Sequence, residues 1–243
     1  MMRSFSRLFI AEGLKMQKKR LLLLLLIGPL LAILSSLSIA GMSTNAGENK
    51  WVMMYTLSVF NYGMIFFPLI AGIFAALLCR YENHQGGWKL LFTWPVSRSV
   101  VYFAKFSVLI VTLAISQGIF FLFSVGAIVL RGDVSQIEWV VLGQSIFLGW
   151  LAIIPLAALQ LWVSFLFKSF GIPLAINVLF TIPNLFAGNS QEYGPWYPWA
   201  QPALAMIPQS QVVDFKLAGI IIGGFLLFFI GGWMHFNHRD MLE

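Results

Sequence analysis

The sequence predicts an all-α, polytopic membrane protein: six transmembrane helices preceded by an N-terminal amphipathic interfacial helix. Composition and the arrangement of charge predict it. Apolar residues make up 59% of the 243 residues and charged residues only 10%, whereas soluble domains carry charge on about a quarter of their residues. Six stretches without a charged side chain are long enough to cross a bilayer, which takes about 20 apolar residues. The remaining charges gather in the segments between them. A cytosolic enzyme and a secreted disulfide scaffold are excluded, and the one cysteine, Cys79, can form no intrachain bridge.

The expected spans are residues 21–40, 55–79, 106–130, 139–167, 170–187 and 217–234, within a single domain covering 1–243. The first contains ten leucines, worth roughly 5 kcal/mol of insertion at about 0.5 kcal/mol each. It is too long for the apolar core of a cleaved signal peptide. Orientation follows from lysine and arginine. One set of loops holds Arg3, Arg7, Lys15, Lys18, Lys19, Arg20, Arg80, Lys89, Arg98, Lys105, Lys168 and Arg239; the other holds only Lys50, Arg131 and Lys216. Basic loops stay in the cytoplasm, so both termini are expected there. The net charge of +6 is then accounted for by topology and anionic lipid headgroups, without a nucleic-acid partner.

Pro155 lies inside the fourth span, and Pro173 and Pro183 flank the fifth; each should kink or shorten its helix. Such bends occur at transporter cavities and in membrane helices generally. Gly219 and Gly223, and Ala71/Ala75 with Gly72/Ala76, have helix-packing spacing. Packing within the subunit is the preferred reading, a subunit interface the other. No ionisable residue is expected within the spans, so an intramembrane enzyme or proton pump is not supported. No phosphate-binding loop of the G-x-x-x-x-G-K-[ST] type occurs, so the chain cannot cradle ATP itself. No cofactor and no metal is expected in the chain; His235 and His238 could share a metal with Asp240 but lack a fourth ligand.

Three stretches outside the spans carry pattern. Residues 3–19 place Phe5, Leu8, Phe9 and Leu14 so that they can share one helical side, away from Arg3, Arg7 and Lys15. That predicts a helix lying in the headgroup region rather than a disordered basic arm. Residues 80–105 form the expected cytoplasmic loop. Within it Gly86-Gly87 breaks the chain, Trp88 to Phe92 makes a short apolar turn, and Pro95 stops it. Such a turn is too short to span and too apolar for water, so it needs a partner's groove or the membrane surface. The last outer loop, 188–214, sets Tyr193, Trp196, Tyr197 and Trp199 among four prolines. An interfacial aromatic belt and a lid contacting an amphipathic substrate both fit it.

The stretch Glu82-x-x-x-Gly86-Gly87-Trp88-Lys89-Leu90-Leu91-Phe92-Thr93-Trp94-Pro95-Val96-Ser97-Arg98, followed by Tyr102 and Lys105, resembles the signature loop of ABC-2 type transporter permeases. Size and layout are most similar to the branch of lantibiotic- and bacitracin-type self-protection permeases. The resemblance implies an ATP-driven transporter's membrane subunit, multi-pass in a bacterial cytoplasmic membrane and not itself an enzyme. Its cargo would be an amphipathic peptide antibiotic or lipid-like compound, moved outward. Its partners would be a cytoplasmic ABC ATPase subunit carrying ATP and Mg, a second permease (identical or related), and membrane lipids. Coupling to the ATPase would fall to Glu82, Gly87, Trp88, Leu90, Leu91, Phe92, Pro95 and Arg98. A non-transporting scaffold or sensor that tethers an ATPase is the alternative.

Overall fold

The computed structural model describes residues 2–16, 18–42, 50–83, 87–93, 96–130, 137–188, 190, 192–208 and 215–238. All regular elements among them are helical. In chain order they are α1 Met2–Lys15, α2 Lys18–Met42, α3 Lys50–Asn61, α4 Phe67–Asn83, α5 Gly87–Phe92, α6 Arg98–Leu130, α7 Trp139–Leu166, α8 Gly171–Thr181, α9 Asn184–Ala187, α10 Gln201–Met206 and α11 Phe215–His238. A π-helical turn, Tyr62–Phe66, joins α3 to α4 without a break, and a short 3-10 turn spans Gly194–Trp196.

The helices run back and forth between two ends. The charged end holds α1, Glu82 and Lys105; the loop end holds residues 188–208. Five helices are long and apolar enough to cross a membrane: Leu21–Ser38, Trp51–Asn83, Arg98–Leu130, Trp139–Leu166 and Phe215–His238. The fifth expected span is shorter, Gly171–Ala187. At about 1.5 Å per residue it reaches some 25 Å, less than the roughly 30 Å of hydrocarbon. Pro183 lies within this stretch, between α8 and α9, and carries no N–H to continue the ladder. Pro173, in the first turn of α8, is tolerated because that N–H needs no helical partner. Helix α7 continues through Pro155.

The core lies between α4, α6 and α7. Tyr62 is sandwiched between Phe120, parallel at 4.1 Å between centroids, and Phe67 at 5.0 Å. Its hydroxyl shares a 2.9 Å hydrogen bond with Ser116. Tyr55, one helical face along, bonds Ser145 at 2.8 Å. Helix α2 is tied to α3 by Ser58 donating to Ser36 and by Asn61 donating to Ser35. With no hydrophobic drive between helices in lipid, small side chains and such polar contacts hold the bundle.

At the loop end, most of residues 194–206 fold inward, with Trp196 left exposed. Gly194, Pro195, Trp199, Ala200, Gln201, Ala203 and Met206 are buried, and α10 packs into the bundle against α7 and the π turn. Gly63 permits this approach, since a Cβ there would stand 2.7 Å from the Ala203 Cα. Gly63→Ala therefore pushes α10 outward, and we expect a loss of about 1–3 kcal/mol, read as a lower unfolding midpoint in detergent.

Gly219 and Gly223 correct the sequence reading: a Cβ at either would meet nothing within 4 Å. They do not pack within the subunit. Only 6% of the α11 membrane-length window is buried, and its contacts come later, where Gly231 and Gly232 lie against Trp162. Ala71, Gly72, Ala75 and Ala76 are buried, as packing within the subunit requires.

Candidate functional site: the charged end of the bundle

Residues 80–105 are only in part a loop. Helix α4 continues through Glu82 to Asn83, and α6 begins at Arg98. Lys105 thus lies two turns into a membrane helix and is fully buried, which overturns the expectation that no ionisable residue sits inside the bundle. Its burial is possible because every donor is satisfied. Lys105 Nζ donates to Glu12 Oε2 at 2.6 Å, Glu82 Oε2 at 2.9 Å and the Leu78 carbonyl at 2.6 Å. An ammonium has three donors, so none is left over.

Lys15 closes the arrangement by donating to the other oxygen of each carboxylate, Glu12 Oε1 and Glu82 Oε1, both at 2.6 Å. Two carboxylates and two ammoniums therefore alternate in a ring with no net charge. Glu12 and Glu82 are buried, while the Lys15 side chain is 34% exposed. The ring joins α1, α4 and α6. Helix α1 is pinned: Leu8 and Phe9 pack on the core, while Leu14, expected on the same side as they are, faces outward with Ile10.

The short helix α5 folds back onto the end of α4. Gly87 makes this possible, because a Cβ there would lie 2.7 Å from the Tyr81 carbonyl oxygen and 2.8 Å from the Glu82 Cα. Trp88 is turned into the chain's own bundle. Its ring meets Phe165 of α7 and Phe236 of α11 edge-on, at 5.8 and 5.5 Å. Its Nε1 donates to Asn83 Oδ1 at 2.8 Å, and Asn83 Nδ2 donates to the Phe167 carbonyl at 3.0 Å. The Lys105 ammonium lies 5.9 Å from the Trp88 ring centroid. Trp88 is therefore not presented as an anchor for another protein; its contacts seat α5 on the helices beneath.

Leu91 is partly buried and also packs on the core. The side chains of Leu90 and Phe92, and the whole of Pro95, lie outside the described residues, as does His84. Arg98 donates from Nη1 to the Asn237 carbonyl at 3.0 Å, tying the start of α6 to the end of α11. Ser99 bonds the Asn237 side chain and accepts from Trp233 Nε1 at 3.1 Å. The charged end is thus one connected plate, in which α5 is bonded or packed to α4, α7 and α11, and α4 to α1 and α6.

The aromatics of residues 193–199 divide. Tyr193 and Trp196 are exposed, at 70% and 65%. Tyr197 donates its hydroxyl to the Phe180 carbonyl, and partial burial pushes its phenol above the ordinary range. Trp199 is buried and donates to Asn177 Oδ1 at 2.9 Å. Only Tyr193 and Trp196 are placed to meet lipid or an approaching molecule.

The sequence profile of a family described as ABC-2 family transporter protein matches residues 8–184, well over half of the chain. The chain belongs to the ABC-2 transporter family. No curated protein matches it. The matched part of the permease contains the whole charge ring and α5, and stops before the aromatic loop and α11. The family makes this chain a multi-pass transport component and not itself a catalyst, of the kind that pairs with an ATPase subunit.

Glu12, Lys15 and Asn83 were not anticipated as site residues, and Lys105 only as a motif match. One signal was available. Glu12 is the sole acid among the seven charged residues of the first twenty, and Lys15 stands three positions on, a helical spacing for an ion pair.

Proposed function

We propose that this chain is the membrane-spanning subunit of an ATP-driven exporter, with its charged end in the cytoplasm of a bacterial cell and both termini there. A separate ABC ATPase, holding ATP and Mg, engages the outward surface of α5. A second permease, identical or related, completes the translocation path, because substrate passes between two such units. The apolar faces of α2, α6 and α11 meet membrane lipids. The cargo is an amphipathic peptide antibiotic or lipid-like compound, in keeping with the sequence's likeness to self-protection permeases.

The observation carrying this reading is the seating of α5. A six-residue helix between two spans is welded to three membrane helices through Trp88 and Asn83 and reaches a fourth through the charge ring. A pull on α5 cannot be absorbed locally and passes to α4 and α6. The ring needs no external field to hold its shape, since its charges satisfy one another. The plate therefore moves as a unit when the ATPase pair closes.

Affinity purification from the cell's own membranes tests the partnership. The wild-type chain should bring down an ATP-hydrolysing subunit, whose hydrolysis rises on adding the exported compound. Leu90→Asp should lose that subunit while the amount of chain in the membrane is unchanged. Undiminished co-purification with Leu90→Asp would remove α5 as the docking element. Hydrolysis indifferent to every amphipathic peptide or lipid tried would favour a tethering scaffold instead.

A further inference from the structure

The continuous helix of α3, the π turn and α4 misses one rung of its hydrogen-bond ladder at Pro68, and two asparagines of α8 and α9 hold this Pro68 break. Pro68 has no N–H, so the Met64 carbonyl four residues earlier loses its helical donor. Asn184 Nδ2 supplies one, at 2.7 Å, and also donates to the Trp199 carbonyl at 2.9 Å. Asn177, seven residues earlier and two turns along the same side, donates from Nδ2 to the Pro68 carbonyl at 3.0 Å. Its Oδ1 accepts from Trp199 Nε1 and from Gln160 Nε2, both at 2.9 Å. The partners fix the orientation of each amide: carbonyls face the nitrogens, N–H donors face the oxygen.

Gly72 shows that this contact is built in. A Cβ at that position would stand 2.1 Å from Asn177 Nδ2, whose two partners, with the two of Oδ1, hold the carboxamide in place. Both asparagines therefore grip the same two things: the break in α4 and residue Trp199 of the inward-folded loop. Among the described residues, buried Asn184 Oδ1 and Gln160 Oε1 have no hydrogen-bond partner, and an arrangement that gives those oxygens donors competes with the clasp.

We propose that the Pro68 break is a hinge in α4, and that Asn177 and Asn184 are positioning residues that make its bending and the release of residues 194–206 a single event. This rests on the exporter reading for its purpose: the same helix ends in Glu82, so motion of the plate at one end is tied to uncovering of the bundle at the other. Asparagine carboxamides suit the task because each can serve the hinge and the loop at once, where a hydroxyl or an apolar side chain cannot.

Amide hydrogen exchange of the full chain in lipid nanodiscs, without any ATPase, tests it. Asn184→Ala and Asn177→Ala should each raise exchange by about tenfold in residues 62–72 and in residues 194–206 together, leaving α1 and α2 unchanged. Pro68→Ala restores a donor to Met64, so adding it to Asn184→Ala should return protection to 62–72 and not to 194–206. A rise confined to α8 and α9, or a double variant that restores neither segment, overturns the proposal. Should Asn177→Ala fail to fold, Asn184→Ala with and without Pro68→Ala carries the test alone. Because no ATPase or substrate is present, the outcome is separate from that of the co-purification experiment.

Discussion

Lys105→Met lowers the stability of the chain by about 3–5 kcal/mol, the cost of leaving a buried charge without its partner. The substitution keeps an unbranched side chain one atom shorter and removes the ammonium with its three hydrogen bonds. Glu12 and Glu82 are then left with one shared lysine, whose side chain is 34% exposed and so screened by solvent. The Leu78 carbonyl also loses its side-chain donor. The measurement is the unfolding midpoint of the detergent-solubilised protein. Adding Glu82→Gln to Lys105→Met removes the excess negative charge and should recover part of the loss. If Lys105→Met unfolds within experimental error of the wild type, the ring is not a stabilising element and α1 is held by packing alone.

Trp88→Ala has the second large effect. Truncating a buried tryptophan removes its transfer free energy and leaves a cavity, together about 3–5 kcal/mol. It also strands Asn83 Oδ1 and the edges of Phe165 and Phe236. The consequence sought is positional: α5 should detach from the plate while the spans stay inserted. Limited proteolysis between α4 and α6 reads this, with faster cleavage expected in Trp88→Ala than in wild type. Trp88→Phe keeps most of the packing and loses only the 2.8 Å hydrogen bond to Asn83, so its cleavage should lie between the two. Equal cleavage of Trp88→Ala and wild type would mean that Trp88 does not seat α5.

The membrane class and the run of most spans follow from composition and charge spacing, since apolar length and basic loops are imposed by the bilayer itself. Lys105 shows where that reading stops. A rule that ends each span at the first charge cannot see that a lysine is matched by acids from residues 12 and 82, because the match exists only once three helices meet. Trp88 shows the same limit from the other side. Its apolar character marks α5 as needing a cover, and the sequence does not say whether the cover is a partner or the chain's own Phe165 and Phe236. The division of the fifth span into α8 and α9 is legible in Pro183. Asn177 and Asn184 had a signal too, two amides seven apart in an otherwise apolar segment. Their meaning needed Pro68, more than a hundred residues away.

The charge ring also bears on how the protein is made. Glu12 leaves the ribosome long before Lys105, 93 positions later, and during that interval its carboxylate has only Lys15 beside it. The amino-terminal segment must therefore wait at the water–lipid boundary and sink into place when the third crossing arrives. Final burial of the first helix is thus a late step of biogenesis, and a nascent chain stalled before Lys105 emerges should still expose Glu12 to water.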